Sequence, residues 1–299
     1  MPITRWAFDI RQALLLEHIE PLVTSLVEDD SSNIVPVTNL LNFLQGEDSD
    51  YLLRYRNDDD IRRALIGRLM IHAFFVAHYG CQWETMVFSR SATNKPILLE
   101  PEHLRNVSFN VSHHGNWVVF VGSTSLESNV RLGTDVTDFK EQVPMEPFDA
   151  FLSCYRDQFT LNELSFVKNA PSDLLDSQNA SNQRRRFCRV WCLKESVGKA
   201  LGVGIDYNLR SVEFSIHEEE ETQKPIHSTT MQVHSPTPDF PGDGWSFEEA
   251  LLDDEHCYAV AAHSSDVDDS ESLMDGSEIK RLDWRELLKD AVPYPPQFS

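Results

Sequence analysis

The residues from about Arg184 to Ala200 read as one long helix that closes on a glycine, Gly202, and no other feature restricts the chain so strongly. Its last turns run Trp191-Cys-Leu-Lys194-Glu195-Ser-Val-Gly-Lys199-Ala-Leu-Gly202. Glu195 and Lys199 are four residues apart and share a helical face, with Lys194 and Trp191 a turn or less away. Such a face can hold a divalent metal through the carboxylate and a phosphate through the lysine. The same spacing is also the commonest ion pair on an exposed helix, so the motif alone does not decide between the two.

Two segments upstream bear on that choice. Phe109-Asn110-Val-Ser112-His113-His114-Gly115 precedes the apolar run Trp117–Val121. Asn110, Ser112, His113 and the backbone N–H groups there can bond an anion, or the segment is a turn held by its own side chains. Val130-Arg-Leu-Gly133-Thr134-Asp135-Val136-Thr137 reads as a short strand with a lone acid among apolar neighbours. Burying that acid is costly unless a cation or hydrogen bonds compensate, the plainer alternative being a strand-end cap.

Helical spacing recurs over Arg11–Val27 and Asp58–Tyr79. Asp59 or Asp60 is the expected cap of the second helix, and Ile61, Ala64, Leu65, Leu69, Ile71 and Phe75 its inward face. Strands are expected at Thr85–Ser89, Asn106–Val111, Trp117–Ser123, Arg131–Thr137, Ser211–Ile216, Thr230–Val233, Trp245–Leu251 and Tyr258–Ala262. Helical segments are expected within Pro144–Phe151 and Thr160–Asn169. Helices first and strands after, twice over, indicate two α+β units. Ala170–Asn182 reads as a loop, Ser264–Ser277 as a disordered acidic linker, and Ile279–Leu288 as one amphipathic helix that either packs back on the body or binds a partner.

In this order the motifs resemble the 4′-phosphopantetheinyl transferases of the larger, monomeric type, most closely the animal cytosolic members. The resemblance runs from Arg5-Trp6-Ala7-Phe8 to about His263, with an echo over Leu282–Pro293. It includes Ala64-Leu-Ile-Gly67-Arg68-Leu-Met-Ile71, Asn94-Lys95-Pro96, Phe109–Gly115, Gly133-Thr-Asp135 and Trp191–Gly202. It implies an α+β fold of two similar halves related by a pseudo-twofold axis, with the cofactor in the cleft between them. Here these would be residues 1–128 and 129–263, the latter carrying the metal and catalytic residues, followed by an acidic linker and tail over 264–299.

The resemblance also implies the chemistry: transfer of the 4′-phosphopantetheine arm of coenzyme A to a serine of an apo carrier protein, with Mg²⁺ and release of 3′,5′-ADP. By it, Asp135 and Glu195 are the metal ligands, and Glu195, directly or through a metal-bound water, is the general base. Lys199 offsets charge on the departing phosphate; Lys194 either assists or packs its stem. Thr137 stands where some relatives place a second carboxylate and is not expected to bind the metal. With Asp135, Glu195 and Lys199, the coenzyme A contacts are Asn110, Ser112 and His113 of the loop, Arg90 and Lys95 before Pro96, and Arg54. Asn94 replaces the usual glycine before Lys95 and is the next-best residue for a positive φ. Ser112 is balanced between a phosphate contact and a turn hydroxyl. Arg68 and Trp191 are expected to be structural, and His114 exposed.

Composition sets the remaining bounds. A formal net charge of −22 argues against a nucleic-acid partner and leaves a polyanionic cofactor to local basicity. The candidates are Arg54, Arg56, Arg62, Arg63 and Arg68, and Arg184, Arg185, Arg186 and Arg189. No apolar run approaches membrane-spanning length, so no membrane partner is expected. No secretory signal opens the sequence, and five scattered cysteines suit free thiols in a reducing cytosol. By resemblance the protein is a cytosolic monomer whose carriers include fatty-acid synthase, mitochondrial acyl carrier protein and an aminoadipate-type reductase. The rival readings are a non-catalytic protein of the same fold that binds coenzyme A or carrier domains, and a different magnesium-dependent phosphoryl enzyme.

Overall fold

A computed structural model describes residues 3–14, 40–45, 48, 51–52, 54–91, 93, 95–126, 130–142, 148–169, 176–203, 208–216, 224–237, 239–265, 274 and 276–294. Along them run β1 (Ile3–Asp9), α1 (Arg11–Leu14), α2 (Asp58–Tyr79), β2 (Val87–Arg90), β3 (Pro96–Glu100), β4 (Phe109–His114) and β5 (Trp117–Ser123). There follow β6 (Val130–Asp138), α3 (Phe139–Gln142), α4 (Phe148–Ser153), α5 (Leu161–Lys168), α6 (Asp176–Leu201), β7 (Val212–Ser215), β8 (Thr230–Val233), β9 (Trp245–Leu251), β10 (His256–Ser264), β11 (Lys280–Arg281) and α7 (Trp284–Leu287). The class is α+β. The described residues divide into one unit of residues 1–5, 107–115 and 121–278 and another of residues 6–106, 116–120 and 279–299.

The second unit is organised by α2. Asn57, rather than Asp59 or Asp60, caps it, accepting from the Asp59 backbone N–H at 2.9 Å; the three aspartates that follow fill its first turn. They still favour the helix, because negative charge offsets the dipole there. Gly80, with φ of 66°, closes the helix in the left-handed conformation that a side chain would resist. Of the expected inward residues, Ala64, Leu65, Leu69, Ile71 and Phe75 are buried and Ile61 is half-buried, but Ile66, Met70, His72 and Phe74 are buried too. Apolar contact therefore surrounds most of the helix. Phe74 packs on Trp6 and Phe120 with ring centroids 6.2 and 5.0 Å apart. Burial pushes His72 down to about 3, leaving a neutral imidazole whose Nδ1 lies 2.9 Å from the Arg68 carbonyl.

The segment 279–294 returns to this unit. It forms β11, parallel to β1 with Lys280 opposite Trp6 and Arg281 opposite Ala7, before the short α7. One continuous helix from Ile279 does not form, because the backbone of Leu282 is drawn into a bond with the Ala7 carbonyl. Trp284 then meets Phe8 edge-on at 5.0 Å, and the Tyr294 hydroxyl donates to the Trp83 and Met86 carbonyls.

In the first unit, β6, β10 and β9 form an antiparallel sheet in that order, with Asp135 opposite Ala259 and Ala259 opposite Glu249. Helix α6 packs against the sheet through Phe187, Val190, Leu193 and Val197, burying them with Phe247, Ala259 and Ala261. It starts at Asp176, so the loop expected over 170–182 is helical from that point. The capping box of α5, between Thr160 and Glu163, matches the expected helix start. Strands β8 and β9 match their expected limits, whereas β1 and β3 add to the expected strands. Within the segment read as a linker, Met274 is buried and both its sulfur and the Ser277 hydroxyl accept from the Arg5 guanidinium. Most of the helix expected over 11–27, the acidic run 218–221 and Asn94 lie outside the described residues.

Candidate active site

β6 is the edge of its sheet, and an edge strand leaves every second N–H facing away from its neighbour. Side chains of β4, and of Ser108 just before it, take up those groups. Ser108 Oγ accepts from Leu132 N at 3.0 Å, Asn110 Oδ1 from Thr134 N at 3.1 Å and His114 Nδ1 from Asp138 N at 3.2 Å. The remaining member of this two-residue repeat, Ser112, donates to the Asp135 carboxylate instead. The strand period of two puts Ser108, Asn110, Ser112 and His114 on one side. His114 is accordingly half-buried rather than exposed.

Helix α6 reaches the same point from another direction. Gly133 lies against its backbone so closely that a Cβ there would overlap the Ser196 carbonyl and the Ala200 nitrogen. Removing one side chain brings β6 and α6 into contact at their main chains. Glu195 and Lys199, on the face of α6 turned to β6, are thereby brought to Asp135.

Asp135 is buried. Its Oδ1 accepts from Lys199 Nζ at 2.5 Å and from Ser112 Oγ at 2.9 Å, and its Oδ2 from Thr137 Oγ1 at 3.2 Å. Lys199 Nζ also donates to Ser112 Oγ at 2.6 Å. The side chain of half-buried Glu195 makes no hydrogen bond among the described residues. Burial, foremost, and the Asp135 charge raise its pKa above the usual carboxylate range, while Lys199 draws it back. Among the described residues no three His, Cys, Asp or Glu side chains gather as a metal cluster. What this region offers a cation is the pair Asp135 and Glu195.

The other expected residues are placed differently. Asn110 is buried, its oxygen engaged by Thr134, so it ties β4 to β6. His113 is exposed and alternates to the opposite side of β4 from Ser112. In the other unit, Arg90 stacks over Tyr51 at 4.1 Å and pairs with Asp48 at 3.3 Å, and Arg54 is exposed. Burial without a carboxylate partner among the described residues pushes half-buried Lys95 down to about 8.

Most of the expected basic surface is committed elsewhere. Arg62, Arg63 and Arg68 pair with Asp59, Asp60 and Asp48. Arg186 donates to the Phe166 and Asn169 carbonyls, and Arg189 pairs with Glu249 at 2.8 Å in the interior. Lys194, one residue from Glu195, is wholly buried and turned away from the site. It donates to the Leu209 and Val212 carbonyls and pairs with Glu163 Oε2 at 2.9 Å. Its role is structural, as is that of Trp191, which packs edge-on against Tyr155. The Glu163 partner could not be read in advance, since its only visible signal was a helix cap.

Comparison with known proteins is decided by two family matches. A model described as "4'-phosphopantetheinyl transferase, N-terminal" matches residues 35–125, and one described as "4'-phosphopantetheinyl transferase superfamily" matches residues 131–261. The chain belongs to the 4′-phosphopantetheinyl transferase superfamily. Its activity is phosphopantetheinyl transfer. Among similar proteins, the phosphopantetheinyl transferase of Thraustochytrium sp. is 28% identical over 245 residues, covering 82% of this chain and 76% of that one. The L-aminoadipate-semialdehyde dehydrogenase-phosphopantetheinyl transferase of Homo sapiens is 26% identical over 268 residues, covering 85% and 80%. The 4′-phosphopantetheinyl transferase ffp of Bacillus subtilis is 27% identical over 219 residues, covering 68% and 87%. Asp135, Glu195 and Lys199 lie within the superfamily match, and Arg54, Arg90, Lys95, Asn110, Ser112 and His113 within the N-terminal transferase match.

Proposed function

We propose that this transferase moves the 4′-phosphopantetheine arm of coenzyme A onto a serine of an apo carrier protein and releases 3′,5′-ADP. The reading is supported above all by the convergence of Asp135, Lys199 and Ser112 beside a Glu195 whose carboxyl is unusually basic. The serine oxygen forms a bond to the β-phosphorus of the pyrophosphate, and the bond from that phosphorus to the bridging oxygen breaks with its electrons. Glu195 takes the serine proton. Lys199 carries the positive charge that offsets negative charge growing on the leaving phosphate. Ser112 and Asp135 hold its ammonium in place.

Asp135 and Glu195 also fit a divalent cation. They supply only oxygen donors, as Mg²⁺ prefers, and the influence of Asp135 on Glu195 is a repulsion that such an ion relieves. Asp135 and Glu195 would hold such an ion, which would supply positive charge against the pyrophosphate. Lys95 and Arg90, with His113 and Arg54, are assigned to the phosphates of coenzyme A; the desolvated ammonium of Lys95 gains most from an anion. Asn110 and Ser112 serve that assignment by fixing the strand that carries His113.

We infer acyl and peptidyl carrier domains as acceptors. Fatty-acid synthase, mitochondrial acyl carrier protein and an aminoadipate-type reductase are the candidates, the last supported by the names of the animal relatives. The protein acts as a cytosolic monomer of two similar halves. Incubation with coenzyme A, Mg²⁺ and an apo carrier, followed by mass spectrometry of the carrier, tests the reading. A gain of one phosphopantetheine arm is expected. No gain with any of the three carriers would overturn this assignment of acceptors.

A further inference from the structure

Thr137 is 1% exposed on β6 and stands opposite Cys257 of β10. A buried strand position of this shape ordinarily takes valine, which fills the same space without a polar atom. A hydroxyl there must find a partner, and the partner is Oδ2 of Asp135 at 3.2 Å. Residues two apart on a strand share a face, so the bond follows directly from the sequence spacing. An ionised carboxylate only accepts, so Thr137 donates.

The other carboxylate oxygen is engaged by Ser112 and Lys199. An aspartate turns readily about its terminal torsion, which is broad and roughly twofold. Donors on both oxygens remove that freedom. We propose that Thr137 is a positioning residue whose hydroxyl, opposed by that of Ser112, fixes the plane of the Asp135 carboxylate for cation binding. The inference rests on the reading of Asp135 as a cation ligand. It gives Thr137 a role without making it a ligand.

The test compares Thr137→Val, which keeps the shape and removes the donor, with Thr137→Ser, which keeps the donor. Mn²⁺ binding to the protein alone is measured by electron paramagnetic resonance, carrier loading gives kcat and the KM for coenzyme A, and thermal melting monitors folding. Removing an outer-sphere partner of this kind costs on the order of 10-fold or more in metal affinity. Thr137→Val should therefore bind Mn²⁺ about 10-fold more weakly and lose kcat in proportion. Its KM for coenzyme A should stay within about twofold, since the lost hydroxyl bonds Asp135 and none of the residues assigned to the coenzyme A phosphates. Thr137→Ser should recover most of both losses.

Wild-type Mn²⁺ affinity in Thr137→Val would overturn the inference. So would a Thr137→Ser variant as impaired as Thr137→Val, which would assign the effect to the methyl group. Failure of wild type to bind Mn²⁺ removes this inference together with the metal assignment. Wild type that binds Mn²⁺ but loads no carrier removes the proposed acceptor chemistry and leaves the Thr137 comparison intact.

Discussion

Lys199 Nζ lies 2.5 Å from Oδ1 of Asp135, a residue 64 positions earlier in sequence, and so joins a helix to a strand. Glu195 shares the lysine's helical face but stays outside the hydrogen-bonded cluster. The cation is held and the second carboxylate is left available, an arrangement suited to accepting a proton.

Glu195→Gln removes the proposed base while keeping its shape. Turnover should fall by roughly 10²- to 10⁴-fold, the usual range for a general base. Coenzyme A binding, measured by calorimetry, should change little. A variant retaining near-normal turnover would show that the proton goes elsewhere.

The same substitution has a consequence for stability. Folded Glu195 keeps its proton to higher pH than an unfolded glutamate does. Between the ordinary value and the raised one, the folded chain holds the extra proton. This group therefore makes stability fall as pH rises through that window, and its contribution remains unfavourable above it. Glu195→Gln should melt higher than wild type at pH 7, and the advantage should vanish as the pH is lowered below the ordinary carboxylate value. An equal gain at both pH values would contradict this.

Gly133→Ala forces a methyl group into the backbone of α6 at Ser196 and Ala200. Overpacking against main chain should cost at least 1–3 kcal/mol by rough comparison with core overpacking, seen as a lower urea midpoint. Because the shift moves Glu195 and Lys199 away from Asp135, carrier loading should fall even where the protein is folded. An alanine variant with normal stability would mean that the helix and strand have room to separate.

Lys194→Met should unfold more readily without touching the chemistry directly. It leaves Glu163 buried with its charge uncompensated, a change that costs about 3–5 kcal/mol. Adding Glu163→Gln should recover part of that loss. A kcat reduced more than the folded fraction would instead place Lys194 in the reaction.

Lys95, brought down to about 8 by burial, should give coenzyme A binding an alkaline limb. Below that value it is charged and attracts phosphate; above it the charge is lost, and the KM for coenzyme A should rise. Lys95→Arg stays charged and should flatten the rise. His113→Ala should also weaken coenzyme A binding, but not abolish turnover at saturating cofactor. A flat KM for wild type from pH 7 to 9.5 would count against the lysine.

The sequence showed Asp58–Tyr79, Thr230–Val233 and Trp245–Leu251 within their observed limits, because apolar periodicity survives folding unchanged. It did not show β1, whose sheet neighbours β11 and β5 lie far along the chain, or β11, which has two residues and exists because it pairs with β1. The fate of the arginines was equally hidden. Arg186 and Arg189 look like a basic surface in sequence, and only the tertiary packing turns them inward. The period-two row Ser108, Asn110, Ser112 and His114 was visible, but it reads as a phosphate loop until the unpaired edge of β6 is known. Lys194 and Lys199 are chemically alike in the sequence and opposite in role. One faces Glu163 and the other Asp135 because a helix turns by a fixed angle per residue.

The return of residues 280–294 to the unit built on α2 has a bearing on how the molecule is made. A nascent chain emerging from the ribosome can assemble β6, β10 and α6 by the time residue 264 is free. The unit built on α2, whose helix appears far earlier, is completed only when Trp284 and Tyr294 arrive.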